Sequence, residues 1–262
     1  MKNRIKHDLM DLMMIPGLSG HEDRVRRDLS GRLSAIGVES RSDRLGNLVA
    51  HFPGDGPRVM LFTHMDQLGF IVRQIEADGL IRLERLGGVP ERALAAQEVL
   101  ICVGEGLDVS GIIANKSHHA TTPSEKNQVV PYAELYVDTG LSSTSEVEAA
   151  GIRIGSPVVY APQALELGDS RICGTSIDDR AGCAVLLEVA RLLKNRTSGP
   201  PVDLAFTVLE EFNLRGALPL AQNLLPDIAI QLDLMLATDT PDMDARGEMV
   251  LGGGPGMSMY SF

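Results

Sequence analysis

The first quarter of the chain alternates between helical and extended patterns of apolar residues. Apolar side chains recur three and four positions apart along Arg4–Met14, which predicts an amphipathic helix. A second such pattern runs up to Gly37 after a capping-box spacing at Ser19–Glu22. Two apolar runs, Asn47–Phe52 and Arg58–His64, flank a Pro-Gly-Asp-Gly-Pro turn and predict neighbouring strands. This alternation favours an α/β domain.

The pattern changes from Phe70 to about Leu167. Short alternating apolar runs are separated there by Gly, Pro and Asp, and only Ser143–Ala150 has the spacing of a short helix. This pattern predicts a small all-β unit, barrel-like in form. Because the unit separates two α/β stretches, we interpret residues 69–167 as a domain inserted into a larger one that comprises residues 1–68 and 168–262.

Helical and extended patterns alternate again after Asp178. The order is a helix over Asp179–Lys194, a buried strand over Val202–Leu209, a helix over Gly216–Leu224 and a strand over Asp227–Leu232. The predicted fold class is therefore α/β, with a central mixed sheet flanked by helices and a small inserted β barrel.

Composition and net charge restrict which kinds of molecule the protein can bind and where it can work. The 262 residues carry a formal net charge of -11, which argues against a nucleic-acid partner because phosphates would be repelled. Three cysteines without C-x-x-C spacing indicate neither a structural zinc site nor a disulfide framework, and they favour a reducing compartment. The longest apolar stretch, Ala181–Leu193, contains Glu188 and Arg191 and is no membrane span, and the charged N-terminus is no signal peptide. We expect a soluble, cytoplasmic protein without a membrane partner.

The candidate chemistry lies in polar elements that follow predicted strands. These elements are His64 with Asp66, Asp178 with Asp179, Glu210 with Glu211, and Asp233. Ligands of open α/β sheets gather at the carboxyl ends of the strands. An imidazole and several carboxylates at one such edge would repel one another unless a cation lay among them. The pattern therefore predicts a divalent metal site and metal-assisted hydrolysis.

Each element also has a plainer interpretation when it is taken alone. His64 and Asp66 could close a strand, and the pair Glu210–Glu211 could be a solvated strand end. The Asp178–Asp179 pair could cap the following helix, and this role is compatible with metal binding if Asp179 caps while Asp178 bridges two cations. The metal hypothesis depends on several such elements meeting at one sheet edge.

Three longer segments carry a family resemblance. They are THMDQLGFIV at Thr63–Val72, GTSIDDRAGCAVLLE at Gly174–Glu188 and VLEEFNLRGA at Val208–Ala217. In order and spacing they resemble the tetrahedral-assembly metallo-aminopeptidases, a group that includes glutamyl aminopeptidases and relatives labelled endo-1,4-β-glucanase. The resemblance implies a peptidase domain with an inserted, β-rich dimerisation domain, so a homo-oligomer formed through residues 69–167 is expected.

The resemblance also implies roles for the polar residues. It implies two divalent cations, usually zinc or cobalt with manganese as a further option, and short peptides as substrates. By position, the implied metal ligands are His64, Asp178, Glu211 and Asp233, with Asp178 bridging both cations. Glu210 would be the general base that takes a proton from the metal-bound water, and Asp66 would support His64.

One departure concerns the second metal. The related enzymes carry a further ligating histidine near their C-terminus, whereas the six histidines of this sequence end at His119 and the sequence ends at Phe262. We therefore expect that a C-terminal segment with one imidazole ligand is lacking and that the second metal binds weakly.

Two alternative functions stay open at this point. Paired carboxylates could serve a glycosidase, but the absence of Trp, with four Tyr and six Phe, disfavours the aromatic platforms that sugars use. A non-catalytic metal-binding or assembly protein would keep the inserted domain without turnover. The leading hypothesis is a metal-dependent aminopeptidase.

Overall fold

The computed structural model describes residues 1–247 and 249–258. Its α/β part begins with helices α1 (Lys2–Met13) and α2 (Asp23–Ala35) and strands β1 (Arg41–Ser42), β2 (Leu48–Phe52) and β3 (Val59–His64). The barrel follows with β4 (Gly69–Ile75), β5 (Ile81–Leu86), β6 (Glu98–Ile101), β7 (Val109–Ala114), β8 (Tyr136–Asp138), α3 (Thr144–Ala149) and β9 (Pro157–Tyr160). The chain then forms β10 (Ala164–Leu167), β11 (Arg171–Gly174), α4 (Ile177–Leu193), β12 (Val202–Thr207), α5 (Ala217–Leu224) and β13 (Ile228–Gln231).

The central sheet is mixed, as the sequence predicts. Its strand order is β1-β2-β12-β3-β13, with β12 and β13 parallel to β3 and with β2 antiparallel to β12. Strand β12 is buried along its whole length, as expected for the central strand of a sheet that is covered on both faces, and it includes the polar residues Asp203 and Thr207. Thr207 pairs with His64, so β3 and β12 end at the same level of the sheet. The segments that follow these two strands therefore start side by side.

Apolar side chains cover both faces of this sheet. On one face, helices α1, α2 and α4 pack against the strands through a cluster that includes Leu12, Leu29, Leu33, Leu186, Leu187, Leu204 and Phe206. On the other face, Leu220 and Leu224 of α5 contact Val49, Met60 and Ala205. Within residues 1–247 and 249–258, no helix is long and apolar enough to cross a bilayer.

The six strands from β4 to β9 close into a barrel in the order β4-β5-β8-β7-β6-β9. Alternate residues of these strands, including Phe70, Val72, Ile81, Leu83 and Val137, fill its interior. The predicted α/β class with an additional β barrel is thus confirmed. The barrel strands span residues 69–160, and the boundaries predicted at residues 69 and 167 stay a prediction.

The predicted capping box at the start of α2 is wrong. Helix α2 begins at Asp23, and no side chain caps it. The carboxylate of Glu22 instead accepts hydrogen bonds from the N–H groups of Gly20 at 2.8 Å and Leu209 at 3.0 Å. Leu209 is far away in sequence, so Glu22 connects the start of α2 to the loop after β12.

Candidate metal centre

The carboxyl ends of β3, β12 and β13 and the start of α4 meet at one edge of the molecule. Each predicted polar element follows one of these strands or lies at the first turn of α4. One donor atom from each of His64, Asp178 and Asp233 lies within 4.8 Å of the other two. One imidazole nitrogen and two carboxylate oxygens form a donor set that suits a divalent cation. The donor chemistry therefore fits a resident metal ion.

His64 is the buried member of this group. Its Nε2 lies 3.0 Å from Oδ1 of Asp178 and 3.9 Å from Oε2 of Glu210. Its Nδ1 lies 3.3 Å from Oδ1 of Asp66, which is an ion-pair distance without hydrogen-bond geometry. Burial alone would lower the pKa of His64, but the contacts with Asp178 and Asp66 outweigh it and raise the pKa to about 11. Such a strongly negative surrounding favours a cation, and a metal ion would compete with the proton for this nitrogen.

Asp66 holds the loop that follows β12. Its two carboxylate oxygens accept one hydrogen bond each, at 3.0 Å, from the N–H groups of Glu210 and Glu211. Burial raises the pKa of Asp66, yet the neighbouring His64 and these hydrogen bonds bring it below its usual range. Asp66 therefore stays ionised and fixes the backbone that carries both glutamates.

The two glutamates differ in their surroundings. Oε2 of Glu210 faces His64, and burial raises the pKa of Glu210. Burial and the charge of Asp178 raise the pKa of Glu211 to about 7. Glu211 is outside the close group of three, but it lines a cavity of about 440 Å³ together with Asp178. The chain has already left the strand at these residues, as Leu209 has a φ of 57°.

In the pair Asp178–Asp179, the second residue caps helix α4, as the sequence suggested. Both residues have non-helical dihedral angles, and the peptide bond between them is cis. Oδ1 of Asp179 accepts a hydrogen bond from the N–H of Gly182 at 2.9 Å, and Oδ2 contacts the hydroxyl of Thr63. Asp179 is buried, which raises its pKa to about 7, whereas the side chain of Asp178 is half exposed. Asp179 therefore caps α4, and Asp178 is the accessible carboxylate.

Several buried residues beside the site were not among the site residues predicted from the sequence. They are Glu22, Thr63, Arg180 and Gly182. A Cβ atom on Gly182 would lie 2.2 Å from Oγ1 of Thr63 and 2.4 Å from Oδ2 of Asp179, so only glycine fits. The sequence offered one signal, because Arg180 and Gly182 lie in the Asp-Asp-Arg-Ala-Gly run of the segment Gly174–Glu188.

Comparison with known proteins identifies relatives along almost the whole chain. The family model for M42 glutamyl aminopeptidase matches residues 46–261. A lysyl aminopeptidase of Pyrococcus furiosus is 33% identical over 249 residues, which cover 93% of this chain and 70% of that protein. The chain spans about seven tenths of that relative.

Solved structures give the same result. A TET aminopeptidase from the marine sediment archaeon Thaumarchaeota archaeon SCGC AB-539-E09 has a TM-score of 0.89 at 31% identity, covering 96% of this chain and 72% of that one. The TET1 peptidase of Pyrococcus horikoshii, which can assemble into a tetrahedron or a large octahedral shell, has a TM-score of 0.80 at 28% identity, covering 87% of this chain and 68% of that one. The family predicted from the sequence is confirmed. The roles of the individual site residues, the weak second metal and the missing imidazole stay predictions.

Proposed function

This chain belongs to the family of M42 glutamyl aminopeptidases, and on that premise we propose that it is a metal-dependent aminopeptidase that removes N-terminal residues from short peptides. The observation that carries the proposal is the convergence of His64, Asp178 and Asp233 at the sheet edge. Buried Glu188 and Asp203 form direct ion pairs with arginine side chains, whereas this group of acids lies around a single imidazole. A hydrolase that uses a bound cation explains this arrangement better than a structural role does.

The proposed metal ligands are the four residues that the sequence indicated. We propose that His64, Asp178 and Asp233 hold one divalent ion and that Asp178 bridges to a second ion held with Glu211. The cavity that Asp178 and Glu211 share supports the position of the second site. Zinc or cobalt suits these nitrogen and oxygen donors, and manganese is a further option. The second ion is expected to bind more weakly, since fewer donors of the chain surround it.

Glu210 is the proposed general base. When bound, the divalent ions would polarise the scissile carbonyl and lower the pKa of a bound water. Burial raises the pKa of Glu210, which makes it a better proton acceptor than an exposed glutamate and suits a group that takes a proton and returns it to the leaving amine. Asp66 holds the amide groups of residues 210 and 211 and thereby fixes where the Glu210 carboxylate can reach.

Assembly and location complete the proposal. The TET1 peptidase of Pyrococcus horikoshii can assemble into a tetrahedron or a large octahedral shell, and this chain covers 68% of that protein. We propose that the present chain also forms a homo-oligomer, with the barrel of residues 69–160 as the self-associating part, and that it works in the cytoplasm.

The test measures metal content per chain and hydrolysis of leucyl and glutamyl peptides on the same sample. Glu210→Gln is expected to lower turnover by about 100-fold or more while the metal stays bound, because the variant loses only the proton acceptor. The control is Glu39→Gln, an exposed glutamate that should leave both readouts unchanged.

Three outcomes would count against the proposal. Loss of metal from Glu210→Gln would make that residue a ligand rather than the base. Hydrolysis that survives complete metal removal would exclude the metal mechanism. Metal content near zero together with a stable oligomer would favour a non-catalytic assembly protein.

A further inference from the structure

We propose that the cavity beside Asp178 and Glu211 receives the side chain of the substrate's N-terminal residue and selects uncharged side chains over those of glutamate and lysine. This inference rests on the proposed function, because it concerns the peptide that the site would hold. It also differs from the activities for which the family model and the Pyrococcus furiosus relative are named, which are glutamyl and lysyl. We call this space the side-chain cavity.

The side-chain cavity has a volume of about 440 Å³ and is lined by residues of both the barrel and the α/β part. Tyr160 comes from barrel strand β9, whereas Ser176 and Asp178 come from the start of α4. In an aminopeptidase the reacting carbonyl belongs to the N-terminal residue, and the side chain of that residue is attached one carbon away. Because Asp178 and Glu211 are proposed to lie at the reacting carbonyl, this is the substrate side chain that reaches the cavity first.

The wall of the side-chain cavity carries no positive charge. Among the described residues that line it, none is a lysine, an arginine or a histidine. The acidic residues of the wall are Asp178 and Glu211, which are themselves proposed metal ligands. Much of the remaining wall is apolar and consists of Leu68, Pro90, Ala93, Ile177 and Leu234.

This wall disfavours both kinds of charged side chain. A glutamyl carboxylate that enters the cavity loses hydration without gaining an opposite charge, which is costly. A lysyl ammonium would meet only Asp178 and Glu211, whose charge is shared with the proposed metal ions. An aliphatic side chain, by contrast, gains free energy when its apolar surface leaves water. The cavity therefore suits an uncharged side chain such as that of leucine.

Two hydroxyl groups of the wall indicate that the cavity takes a ligand. The hydroxyl of Tyr160 and Oγ of Ser176 are buried and have no hydrogen-bond partner in the described part of the chain. Buried hydroxyls normally have a partner, and leaving one unpaired costs free energy. The ring of Tyr160 is held by an edge-to-face contact with Phe70, with ring centroids 6.0 Å apart. These hydroxyls can bind a neutral polar group of a peptide, which again requires no charge on the side chain.

A second cavity, beside Asp233, leads to the same class of substrate. It has a volume of about 380 Å³ and is lined by Asp179 and Asp233 together with residues that include 234–237 and 249–252. No lysine, arginine or histidine is found among the described residues of its wall. A substrate side chain that turned towards Asp233 would therefore also meet no cation.

The test compares leucyl, glutamyl and lysyl p-nitroanilides on one sample of the metal-loaded protein. We expect kcat/KM for the leucyl substrate to exceed that for each charged substrate by about 100-fold or more. Gln97 is an exposed residue of the cavity wall, so Gln97→Lys adds a positive charge there and should raise the glutamyl-to-leucyl ratio by about tenfold. The matched control is Gln128→Lys, which adds the same charge at an exposed residue outside the cavity wall and should leave the ratio unchanged.

Binding gives a second readout that does not need turnover. Calorimetry with leucyl, glutamyl and lysyl dipeptides on the metal-loaded Glu210→Gln variant should rank the leucyl peptide first, and adding Gln97→Lys should strengthen glutamyl binding by about tenfold. A glutamyl or lysyl preference in either readout, or equal ratios for Gln97→Lys and Gln128→Lys, would overturn the inference and leave metal-dependent hydrolysis intact. Leucyl peptides that bind preferentially but are not hydrolysed by the original chain would contradict the proposed function and support the selectivity. A leucyl peptide that does not bind at all would overturn both.

Discussion

The barrel and the α/β part bury different kinds of side chain. Of residues 69–167, all of which the structure describes, none that is polar or charged is buried. The α/β part, by contrast, buries Asp8, Glu22, His64, Asp66, Asp179, Arg180, Glu188 and Asp203. Apolar burial stabilises without direction and without dependence on pH, whereas each buried charge requires a partner. Because these buried charges lie in the α/β part, we expect the reactive groups and the pH dependence of stability to lie there as well.

A buried charge does not by itself identify the candidate metal centre, as the two ends of β12 show. Near the amino end, Asp203 is fully buried and accepts hydrogen bonds from Nε of Arg58 at 2.6 Å and from Nδ1 of His51 at 2.9 Å. That carboxylate is satisfied by the chain. Beyond the carboxyl end, the acids outnumber the positive groups around His64. The excess negative charge beyond the carboxyl end of β12 is what a bound metal ion would neutralise.

The largest expected effect comes from Gly182→Ala. The new methyl group would overlap with Thr63 and Asp179 and would break the cap of α4, so we expect a loss of about 3 kcal/mol in the free energy of unfolding. The matched control is Gly31→Ala in α2, where nothing lies within 4 Å of the added atom. That change should stabilise the protein by about 0.5–1 kcal/mol. Urea unfolding of both variants measures the difference, and similar values for the two would contradict the tight packing at Gly182.

A smaller effect is expected from pH. Burial raises the pKa of Asp179 to about 7, compared with about 4 in an unfolded chain. Between these values the folded state binds a proton that the unfolded state does not, so stability is greatest at low pH and falls as pH rises. For the metal-free protein, Asp179→Asn should remove a fall of about 2.5 kcal/mol between pH 4.5 and 6.5, because most of the interval between the two pKa values lies in that range.

The measurement is urea unfolding across that range, which stays below the pKa of about 6.5 at which His64 of the unfolded chain loses its proton and would add its own pH dependence. Glu211 also has a raised pKa of about 7, so Asp179→Asn should flatten the profile without making it level. Asp203 has a lowered pKa and acts in the opposite direction, mainly below pH 4. An Asp179→Asn profile as steep as that of the original chain would show that Asp179 is ionised in the folded state.

Local sequence patterns predicted the elements of this fold well. The predicted strands Arg58–His64 and Val202–Leu209 are β3 and β12, although β12 ends two residues earlier at Thr207, and the change of pattern at Phe70 marks the barrel. Strands β9 and β10, with four residues each, lie in the stretch for which the sequence predicted only short alternating runs. Whether a segment of this chain forms a helix or a strand is decided largely by its own sequence, so the sequence can predict it.

Contacts between distant segments were harder to predict. The spacing of Ser19 and Glu22 indicated a local cap, yet Glu22 binds the N–H of Leu209. The pattern after Asp178 indicated a helix but not the burial of Arg180, because Asp178 and Asp179 are non-helical and the helical face starts one turn later. The contact of Glu22 and the burial of Arg180 both depend on packing between segments that are distant in sequence. A periodic pattern contains information only about neighbours along the chain.

The smallest expected effect concerns the two ion pairs that join α2 to the barrel. Arg24 and Asp108 are mostly buried, with 19% and 13% of their side chains exposed, and Nη2 of Arg24 lies 2.8 Å from Oδ1 of Asp108. Arg27 and Glu105 are 60% and 63% exposed. We expect Arg24→Met to cost about 1 kcal/mol and Arg27→Met to cost less than about 0.5 kcal/mol, because water and salt screen an exposed pair.

Urea unfolding at low and high salt separates the two cases. Oδ1 of Asp108 also accepts hydrogen bonds from the N–H groups of Val103 and Gly104 at 3.0 and 3.1 Å, so removal of Arg24 leaves a carboxylate that is still held in the barrel loop. The loss in Arg24→Met should therefore be moderate and should persist at high salt, whereas any loss in Arg27→Met should vanish there. Equal losses with equal salt dependence would mean that burial does not distinguish the two ion pairs, and the absence of any loss would mean that neither pair stabilises the boundary between the barrel and the α/β part.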